Sequence, residues 1–370
     1  MGHYNRLPAT SESGLTTTMS VPQTDRYQRQ RLLGQIGREG QERLGRARVL
    51  LVGCGALGGA LAELLVRGGV GFMRLVDRDL VELSNLQRQV LFDERDAREE
   101  LPKAVAAARR LGAINSAIRI EPIVADVNAA NAESFLTVDG QAVDLIVDGT
   151  DNVATRYLLN DVAVKHGIAW VYGACVGVSG RVMGIWPGKT ACLRCLYPSP
   201  PNASELPTCD TAGILGAAAA AVAALQAAVA MRFLVEGPPT NSAGLIALDA
   251  WEGEFHCLSS GQSPQADCPC CGGRDFVFLS GTGADEVVTS LCGQKAVQVQ
   301  FGRSRPVDLP TAARRLQQAG LVRQGPYFLR CQLHDPPGID LTLFPDGRLL
   351  VHGTVDPLRA RSIYARFIGS

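Results

Sequence analysis

Polar residues that can bind a polyphosphate follow a glycine-rich turn in this sequence. Gly53, Gly55 and Gly58 come after an apolar run and open a segment with a helical pattern. Glycines permit a tight turn there and let backbone amides reach a phosphate at the positive end of the helix. Asp77 follows roughly twenty residues later, where an acidic side chain accepts hydrogen bonds from ribose hydroxyls. Both NAD and ATP satisfy this pattern, and alone it favours NAD as the default ligand.

Three further side chains distinguish between these two nucleotides. Asn85, Arg88 and Lys103 follow the ribose acid, and together they supply more cationic and amide donors than a diphosphate requires. They fit a triphosphate whose leaving pyrophosphate must be neutralised. Each of them taken singly is interpreted equally well as a solvated surface residue. The set predicts ATP as the ligand.

A Thr-Asp-Asn triplet, Thr150 to Asn152, follows another apolar run. Its central residue, Asp151, can hold Mg²⁺ against the phosphates, because one or two carboxylates plus phosphate oxygens are the usual partners of this ion. The alternative is that Asp151 is only a turn or helix-cap residue.

The chain contains 11 cysteines and no secretory signal, so disulfide bonds are a poor explanation for them. Two Cys-x-x-Cys pairs, Cys192 with Cys195 and Cys268 with Cys271, have the spacing that suits four thiolates around one tetrahedral zinc. Cys270 is then the spare residue. The alternative is that one pair is a redox dithiol.

Cys209 lies in a polar loop just before an alanine-rich helical segment. A helix dipole favours the thiolate of a nearby cysteine, which suits a nucleophile in sulfur transfer. The alternative is an exposed bystander. The remaining cysteines are interpreted as packing residues, namely Cys54, Cys175, Cys257, Cys292 and Cys331.

Alternating strands and helices position these residues. Apolar runs predict strands at 48–52, 72–76, 119–124 and 143–148, with helices near 60–66 and 102–111. Such alternation is typical of a doubly wound, mostly parallel, Rossmann-like α/β sheet. Ligands bind at the carboxyl ends of its strands, so we expect Asp77 and Asp151 to face one crevice.

After residue 273 the pattern changes to that of a small α+β module. Strands are predicted at 296–300, 327–333, 339–344 and 348–352, with helices at 310–319 and 357–368. We therefore expect a disordered leader at 1–24, a domain at 25–275 that carries the ATP and zinc sites, and a module at 280–370 to which the sequence assigns no role. The start codon is Met1 or Met19.

Composition limits the classes of partner. Lys+Arg 36 balance Asp+Glu 36, so no long-range field gathers nucleic acid or anionic lipid, and a nucleic-acid partner is disfavoured. Residues 212–235 are nearly all apolar, but alanine dominates them, so a packed interior or subunit-interface helix is predicted instead of a membrane span. We expect a cytoplasmic protein.

The motifs occur in the order found in the ThiF/MoeB/HesA adenylyltransferases, relatives of the ubiquitin-activating enzymes. The resemblance covers 26–272 and includes Arg-Tyr-Gln-Arg-Gln at 26–30, the glycine turn, Asp77, Ser-Asn-Leu-Gln-Arg-Gln at 84–89, Pro-Lys at 102–103 and the Thr-Asp-Asn triplet. It implies a homodimer that uses ATP to adenylate the C-terminal glycine of a ubiquitin-like sulfur carrier of ThiS or MoaD type, ending in Gly-Gly. It also implies a sulfur donor such as a cysteine desulfurase persulfide.

The resemblance assigns roles to individual residues. The implied nucleotide-binding residues are Gly53, Gly55, Ala56, Gly58, Asp77, Ser84, Asn85, Gln87, Arg88, Lys103, Asp151 and Asn152. The implied catalytic residues are Arg29, Arg88, Lys103, Asp151 and Cys209. Arg29 would reach ATP from the partner subunit, Asp151 would bind magnesium, and the zinc would be a structural clamp. Many members carry glycine where this chain has Ala56.

Three rival functions are weighed against this one: a nicotinamide-dependent oxidoreductase, a tRNA-modifying dehydratase of the same superfamily and a non-catalytic partner of another activating subunit. Within the favoured class, the sequence does not distinguish between carriers for thiamine, molybdenum cofactor or another sulfur metabolite. The context of Cys209 and the C-terminal extension favour the thiazole pathway modestly.

Overall fold

The computed structural model describes residues 26–201, 212–239, 244–259, 263–280, 286–291, 295–301 and 306–369. The predicted leader at 1–24 and Cys209 lie outside these residues. The described chain forms an eight-stranded sheet, a separate six-stranded sheet and a two-stranded ribbon. The predicted α/β class is confirmed.

The eight-stranded sheet is mostly parallel and has the strand order β10-β9-β8-β7-β6-β1-β2-β3. Its strands are β1 (Arg48–Val52), β2 (Phe72–Asp77), β3 (Arg119–Val124), β6 (Leu145–Asp148), β7 (Ala169–Val176), β8 (Ser179–Ile185), β9 (Leu245–Asp249) and β10 (Glu254–Leu258). The five neighbouring strands β7, β6, β1, β2 and β3 pair in parallel. Strands β8, β9 and β10 extend the sheet beyond β7 in antiparallel pairing. The ribbon consists of β4 (Thr137–Val138) and β5 (Gln141–Ala142).

The central strand β1 is covered on both faces. Val49 and Leu51 pack into one apolar cluster, whereas Leu50 and Val52 pack into the other. A strand that is buried on both faces is continuously apolar in sequence, which is why this strand is evident from the sequence alone.

Nine helices accompany this sheet within the described residues. They are α1 (Gln28–Arg31), α2 (Gly37–Arg46), α3 (Ala56–Gly68), α4 (Glu94–Arg98), α5 (Lys103–Ile114), α6 (Val153–His166), α7 (Leu193–Leu196), α8 (Gly216–Glu236) and α9 (Val277–Ser280). Short 3-10 turns cover Leu83–Asn85 and Ala132–Leu136.

Helix α8 is the alanine-rich segment, and it is long and apolar enough to cross a membrane. It packs instead against α3, β7 and β8. The fully buried Gln226 donates a hydrogen bond to the carbonyl oxygen of Asp148, at 2.8 Å, and so ties the helix to the sheet. The prediction of a packed helix is confirmed.

The six-stranded sheet is antiparallel, with the order β11-β12-β16-β15-β14-β13. Its elements are β11 (Glu286–Leu291), β12 (Ala296–Phe301), α10 (Leu309–Leu316), β13 (Gly320–Gln324), β14 (Leu329–Leu333), β15 (Asp340–Leu343), β16 (Leu349–His352) and α11 (Pro357–Phe367). The strands predicted at 339–344 and 348–352 are confirmed as β15 and β16, which pair as a hairpin, whereas β11 and β13 were not predicted. The division of the chain into independent domains stays a prediction.

Candidate functional site

The glycine turn after β1 is packed too tightly for side chains. A Cβ atom at Gly58 would lie 1.8 Å from the carbonyl oxygen of Gly53. Gly53 itself has a φ of +88°, and a Cβ there would lie 2.6 Å from the carbonyl oxygen of Gly149. Gly55 precedes α3, and no side chain caps that helix start. The first N–H groups of α3 are therefore available to bind an anion.

A pocket opens at the carboxyl ends of β1, β2, β3 and β6, beside the start of α3. The predicted residues in its wall are Gly53, Gly55, Ala56, Asp77, Arg88, Asp151 and Asn152. Asp77 and Asp151 face one crevice, so this prediction is confirmed. The wall also contains polar residues that the sequence analysis did not single out, namely Arg78, Gln89, Asp126 and Thr155.

The carboxylate of Asp77 is buried and held by backbone amides. Its Oδ2 accepts from the N–H of Cys54 at 2.6 Å, and its Oδ1 accepts from the N–H of Asp79 at 2.7 Å. Burial raises the pKa of Asp77 to about 6, the charge of Asp79 adds to this, and Lys103 opposes it. The group is fixed in place and ionised at neutral pH, and its contact with ribose hydroxyls stays a prediction.

Lys103 is absent from the pocket wall and pairs with a carboxylate that was not predicted. Its Nζ donates to Oδ2 of Asp79 at 3.0 Å, and the side chain is buried. Desolvation alone would lower the pKa of Lys103, but Asp79 and Asp77 outweigh it and raise that pKa, so the amine stays charged. The sequence analysis missed Asp79, although its place two residues after Asp77 was a usable signal.

The Ser84 to Gln89 segment forms a short turn that carries Arg88 to the pocket. Asn85 is buried, and its Oδ1 accepts from the N–H of Glu82 at 3.3 Å, which closes the turn. Arg88 donates from Nη1 to the carbonyl oxygen of Ser84 at 2.9 Å. Ser84 and Gln87 are exposed beside the pocket. Their contacts with phosphate stay predictions.

The three residues of the Thr-Asp-Asn triplet make different contacts. Thr150 donates from its backbone N–H and its hydroxyl to the buried Asp148, at 2.9 and 2.7 Å. Asn152 caps α6 by accepting from the N–H of Thr155 at 3.2 Å. Asp151 is exposed between them, and its carboxylate makes no hydrogen bond or ion pair with any described residue. Asn152, not Asp151, is therefore the helix cap, and the Asp151 carboxylate remains available to a cation.

Arg29 lies on the short helix α1, is exposed, and is absent from the pocket wall of its own chain. The neighbouring Leu32 and Leu33 are 75% and 52% exposed. Exposed apolar residues beside a polar one are typical of a surface that contacts another protein. The role of Arg29 in a partner's site stays a prediction.

Four cysteines cluster where the two Cys-x-x-Cys pairs meet. Their sulfur atoms all lie within 4.8 Å of one another, with Cys192 to Cys268 at 3.6 Å and Cys195 to Cys271 at 3.4 Å. A tetrahedral zinc with bonds of about 2.3 Å places its sulfur ligands about 3.8 Å apart. The cluster fits zinc. Cys270 is not one of these four, and its thiol donates to Oδ1 of Asp161 at 3.4 Å, so it is the spare residue, as predicted.

The remaining cysteines divide by burial. Cys54, Cys175 and Cys331 are buried, as expected of packing residues. Burial raises the pKa of the Cys54 thiol well above its usual range, so this residue is not a ready nucleophile. The packing interpretation is wrong for Cys257, which is exposed on the edge strand β10. Cys292 lies outside the described residues.

Comparison with known proteins decides the family. The sequence pattern of the ThiF family matches residues 27–270. The chain belongs to the ThiF family. The sulfur carrier protein ThiS adenylyltransferase of Bacillus subtilis is 43% identical over 349 residues, which cover 94% of this chain and 100% of that protein. The sulfur carrier protein adenylyltransferase of Thermus thermophilus is 41% identical over 67% of this chain and 90% of its own length.

The ThiF-family fold is also found among solved structures. A crystal structure of Escherichia coli MccB with ATP aligns with a TM-score of 0.58 and 24% identity, over 67% of this chain and 74% of that one. This similarity shows the fold. The six-stranded sheet, which begins at Glu286, lies beyond the family match.

Proposed function

We propose that this protein is an ATP-dependent adenylyltransferase that activates the C-terminal glycine carboxylate of a ubiquitin-like sulfur carrier of ThiS or MoaD type. One arrangement carries the proposal: the uncapped start of α3, the ionised Asp77 and the unpaired Asp151 share the wall of one pocket. The amides at the helix start suit a phosphate chain, the Asp77 carboxylate suits a ribose, and the Asp151 carboxylate suits a cation. The whole-length similarity to a ThiS adenylyltransferase supports the choice of substrate.

The reaction requires positioning more than acid–base chemistry. The carrier's terminal carboxylate is already a nucleophile at neutral pH, so no general base is needed. It attacks the α-phosphorus in line, an acyl adenylate forms, and pyrophosphate leaves. The amides of the glycine turn bind the phosphates, while Arg88 and Lys103 neutralise the charge that develops on the leaving pyrophosphate.

Two metals belong to the proposal. Asp151 would hold Mg²⁺, which would reduce the negative charge of the phosphates. Zn²⁺ bound by Cys192, Cys195, Cys268 and Cys271 would tie α7 to the loop before α9, and so stabilise the fold.

A homodimer completes the proposed enzyme. Arg29 of one subunit would contact ATP in the site of the other, in keeping with its exposure and its absence from its own chain's pocket wall. Cys209 would take part in the later sulfur transfer from a persulfide donor such as a cysteine desulfurase. A cytoplasmic location is part of the proposal.

The thiamine pathway is the first choice of carrier, because the Bacillus subtilis relative that matches this chain over its whole length is named for ThiS. A MoaD-type carrier is the second choice. The two share a Gly-Gly terminus and are told apart by which one supports the reaction.

ATP–pyrophosphate exchange tests the proposal directly. We expect exchange when a ThiS-type carrier is added, and none with the same carrier lacking its last glycine. Asp151→Asn should reduce exchange at least about a hundredfold, since it removes the proposed cation ligand. Glu94→Gln, which neutralises an exposed carboxylate outside the pocket wall, is the matched control and should leave the rate unchanged.

The rival functions give different results in the same experiments. An oxidoreductase would bind NADH in preference to ATP, and a tRNA-modifying dehydratase would require tRNA instead of a carrier. Absence of exchange with every Gly-Gly carrier tested would contradict the proposal.

A further inference from the structure

The six-stranded sheet has one apolar face and one polar face. Val297, Val299 and Leu349 point into an apolar cluster beneath α10 and α11. The alternate positions point the other way, and three of them, Gln298, Thr342 and Arg348, are polar yet almost completely buried. Gln298 is 2% exposed, and Arg348, which directly precedes β16, is 1% exposed. Burial of such groups is costly unless they are hydrogen-bonded, so their partners matter.

Those partners belong to the nucleotide pocket. Gln298 donates from Nε2 to Oδ2 of Asp126 at 2.9 Å. The other carboxylate oxygen of Asp126 accepts from Nη1 of Arg78 at 3.1 Å. Arg348 donates from Nη2 to the carbonyl oxygen of Arg78 at 2.8 Å. Arg78 and Asp126 both lie in the pocket wall. The six-stranded sheet, called the second sheet below, therefore contacts two residues of the site.

The orientation of the two side chains from the second sheet is itself constrained. Nε2 of Gln298 also donates to Oε1 of Gln300 at 2.9 Å, so both of its amide hydrogens are used. The guanidinium of Arg348 lies 3.7 Å from the centre of the Phe344 ring. Side chains held in this way lose little freedom when a ligand binds, which favours affinity.

The strand order indicates which part of a nucleotide this corner would contact. The glycine turn follows β1, Asp77 ends β2, and Asp126 follows β3, the next strand outward. A nucleotide with its phosphates on the glycine turn and its ribose on Asp77 brings its base to the loop after β3. Arg78 and Asp126 therefore lie at the base end of the pocket.

The geometry points to a role for the second sheet: Gln298 and Arg348 are positioning residues that hold Arg78 and Asp126 at the base end of the nucleotide pocket. The C-terminal module is thus part of the ATP site and not an appendage to it. This inference rests on the proposed use of ATP.

The test compares two variants that each remove one contact between the sheets. Gln298→Leu removes the bond to Asp126. Arg330→Gln removes the ion pair between Arg330 and Glu100, which joins the same two parts of the molecule but lies outside the pocket wall. We expect Gln298→Leu to raise KM for ATP about five- to tenfold while kcat and the carrier's KM change by less than about twofold. Arg330→Gln should leave KM for ATP unchanged.

A probe without a base separates positioning from general loosening. Tripolyphosphate carries only the phosphate chain, so its inhibition constant should be the same for wild type and Gln298→Leu. An equal weakening of ATP and tripolyphosphate, an equal effect of Arg330→Gln, or an unchanged KM for ATP would overturn the inference. Arg348→Lys keeps the charge but loses the bond to the Arg78 carbonyl. This second variant should also raise KM for ATP without changing the inhibition constant of tripolyphosphate. Thermal unfolding of both variants checks that they fold.

Calorimetric titration with ATP alone separates this inference from the proposed function. Wild type that binds ATP but shows no exchange with any carrier would contradict the carrier assignment. The comparison of ATP affinity between Gln298→Leu and wild type would still decide the role of the second sheet.

Discussion

The ionisation of Asp77 should control the affinity for ATP in mildly acidic solution. Its pKa is raised to about 6 by burial and by Asp79, with Lys103 opposing. The proposed contact requires the ionised form, because only the carboxylate accepts from both ribose hydroxyls while it keeps its two backbone bonds. The group is ionised above its raised pKa and loses its charge as the pH falls below it.

The size of the effect follows from the ionised fraction. A group whose pKa is about 6 is almost fully ionised at pH 7.5 and about one-tenth ionised at pH 5. If only the ionised form binds, apparent affinity falls in proportion to that fraction, so KM for ATP should rise about tenfold. An exposed aspartate with an ordinary pKa would produce almost no change over this range.

The assay is KM for ATP in carrier-dependent exchange between pH 5 and pH 8. ATP also titrates in this range, so Asp77→Asn is measured alongside. That variant loses charged hydrogen bonds worth about 1.5–3 kcal/mol, and its KM should be about 10- to 100-fold higher at pH 7.5. The pH dependence that remains in the KM of this variant arises from the titration of ATP itself. A wild-type KM that tracks the variant's pH profile would refute the reasoning.

Three further predictions concern the metal cluster, the glycine turn and the subunit contact. Cys271→Ser should lose most of its zinc and unfold at a lower temperature, whereas Cys270→Ser should retain about one zinc per chain by elemental analysis. Gly58→Ala should lower the free energy of unfolding by about 3 kcal/mol in urea titrations and abolish ATP binding, because the new methyl group collides with the Gly53 carbonyl. Arg29→Ala should be inactive alone yet regain activity when mixed with a second inactive variant.

Controls make these predictions specific. Gly112→Ala in α5 places a methyl group where nothing lies within 4 Å, so it should change stability by less than about 1 kcal/mol. For the mixing experiment the second variant is Asp151→Asn, which changes the pocket wall of its own chain and should be nearly inactive alone. Random exchange of subunits leaves about a quarter of the sites intact, so recovery of about a quarter of wild-type activity is expected. Zinc retained by Cys271→Ser, an unaffected Gly58→Ala protein, or no recovery on mixing would each contradict the corresponding prediction.

Local patterns were enough to predict most of the nucleotide-binding half. Strands β1 and β3 have the predicted bounds, and β1 was evident because a strand buried on both faces leaves a continuous apolar signature. The glycine turn, Asp77 after β2 and the cysteine pairs are also local features, which residue type and spacing were enough to predict. Strand β7 and the antiparallel strands β8 to β10 were not predicted, because the predicted alternation of strands and helices ended at residue 148.

The sequence by itself determined the class of fold, the glycine turn after β1 and the two Cys-x-x-Cys pairs, because each depends on patterns within short stretches of chain. Tertiary structure alone decided that Asp151 stays unpaired while Asn152 caps its helix, and that Lys103 pairs with Asp79. It alone brought Gln298 to Asp126, 172 residues away in the chain. Periodicity shows which face of a strand is buried, but not which distant carboxylate will meet a buried amide. Such pairings arise only when two separately patterned sheets pack together.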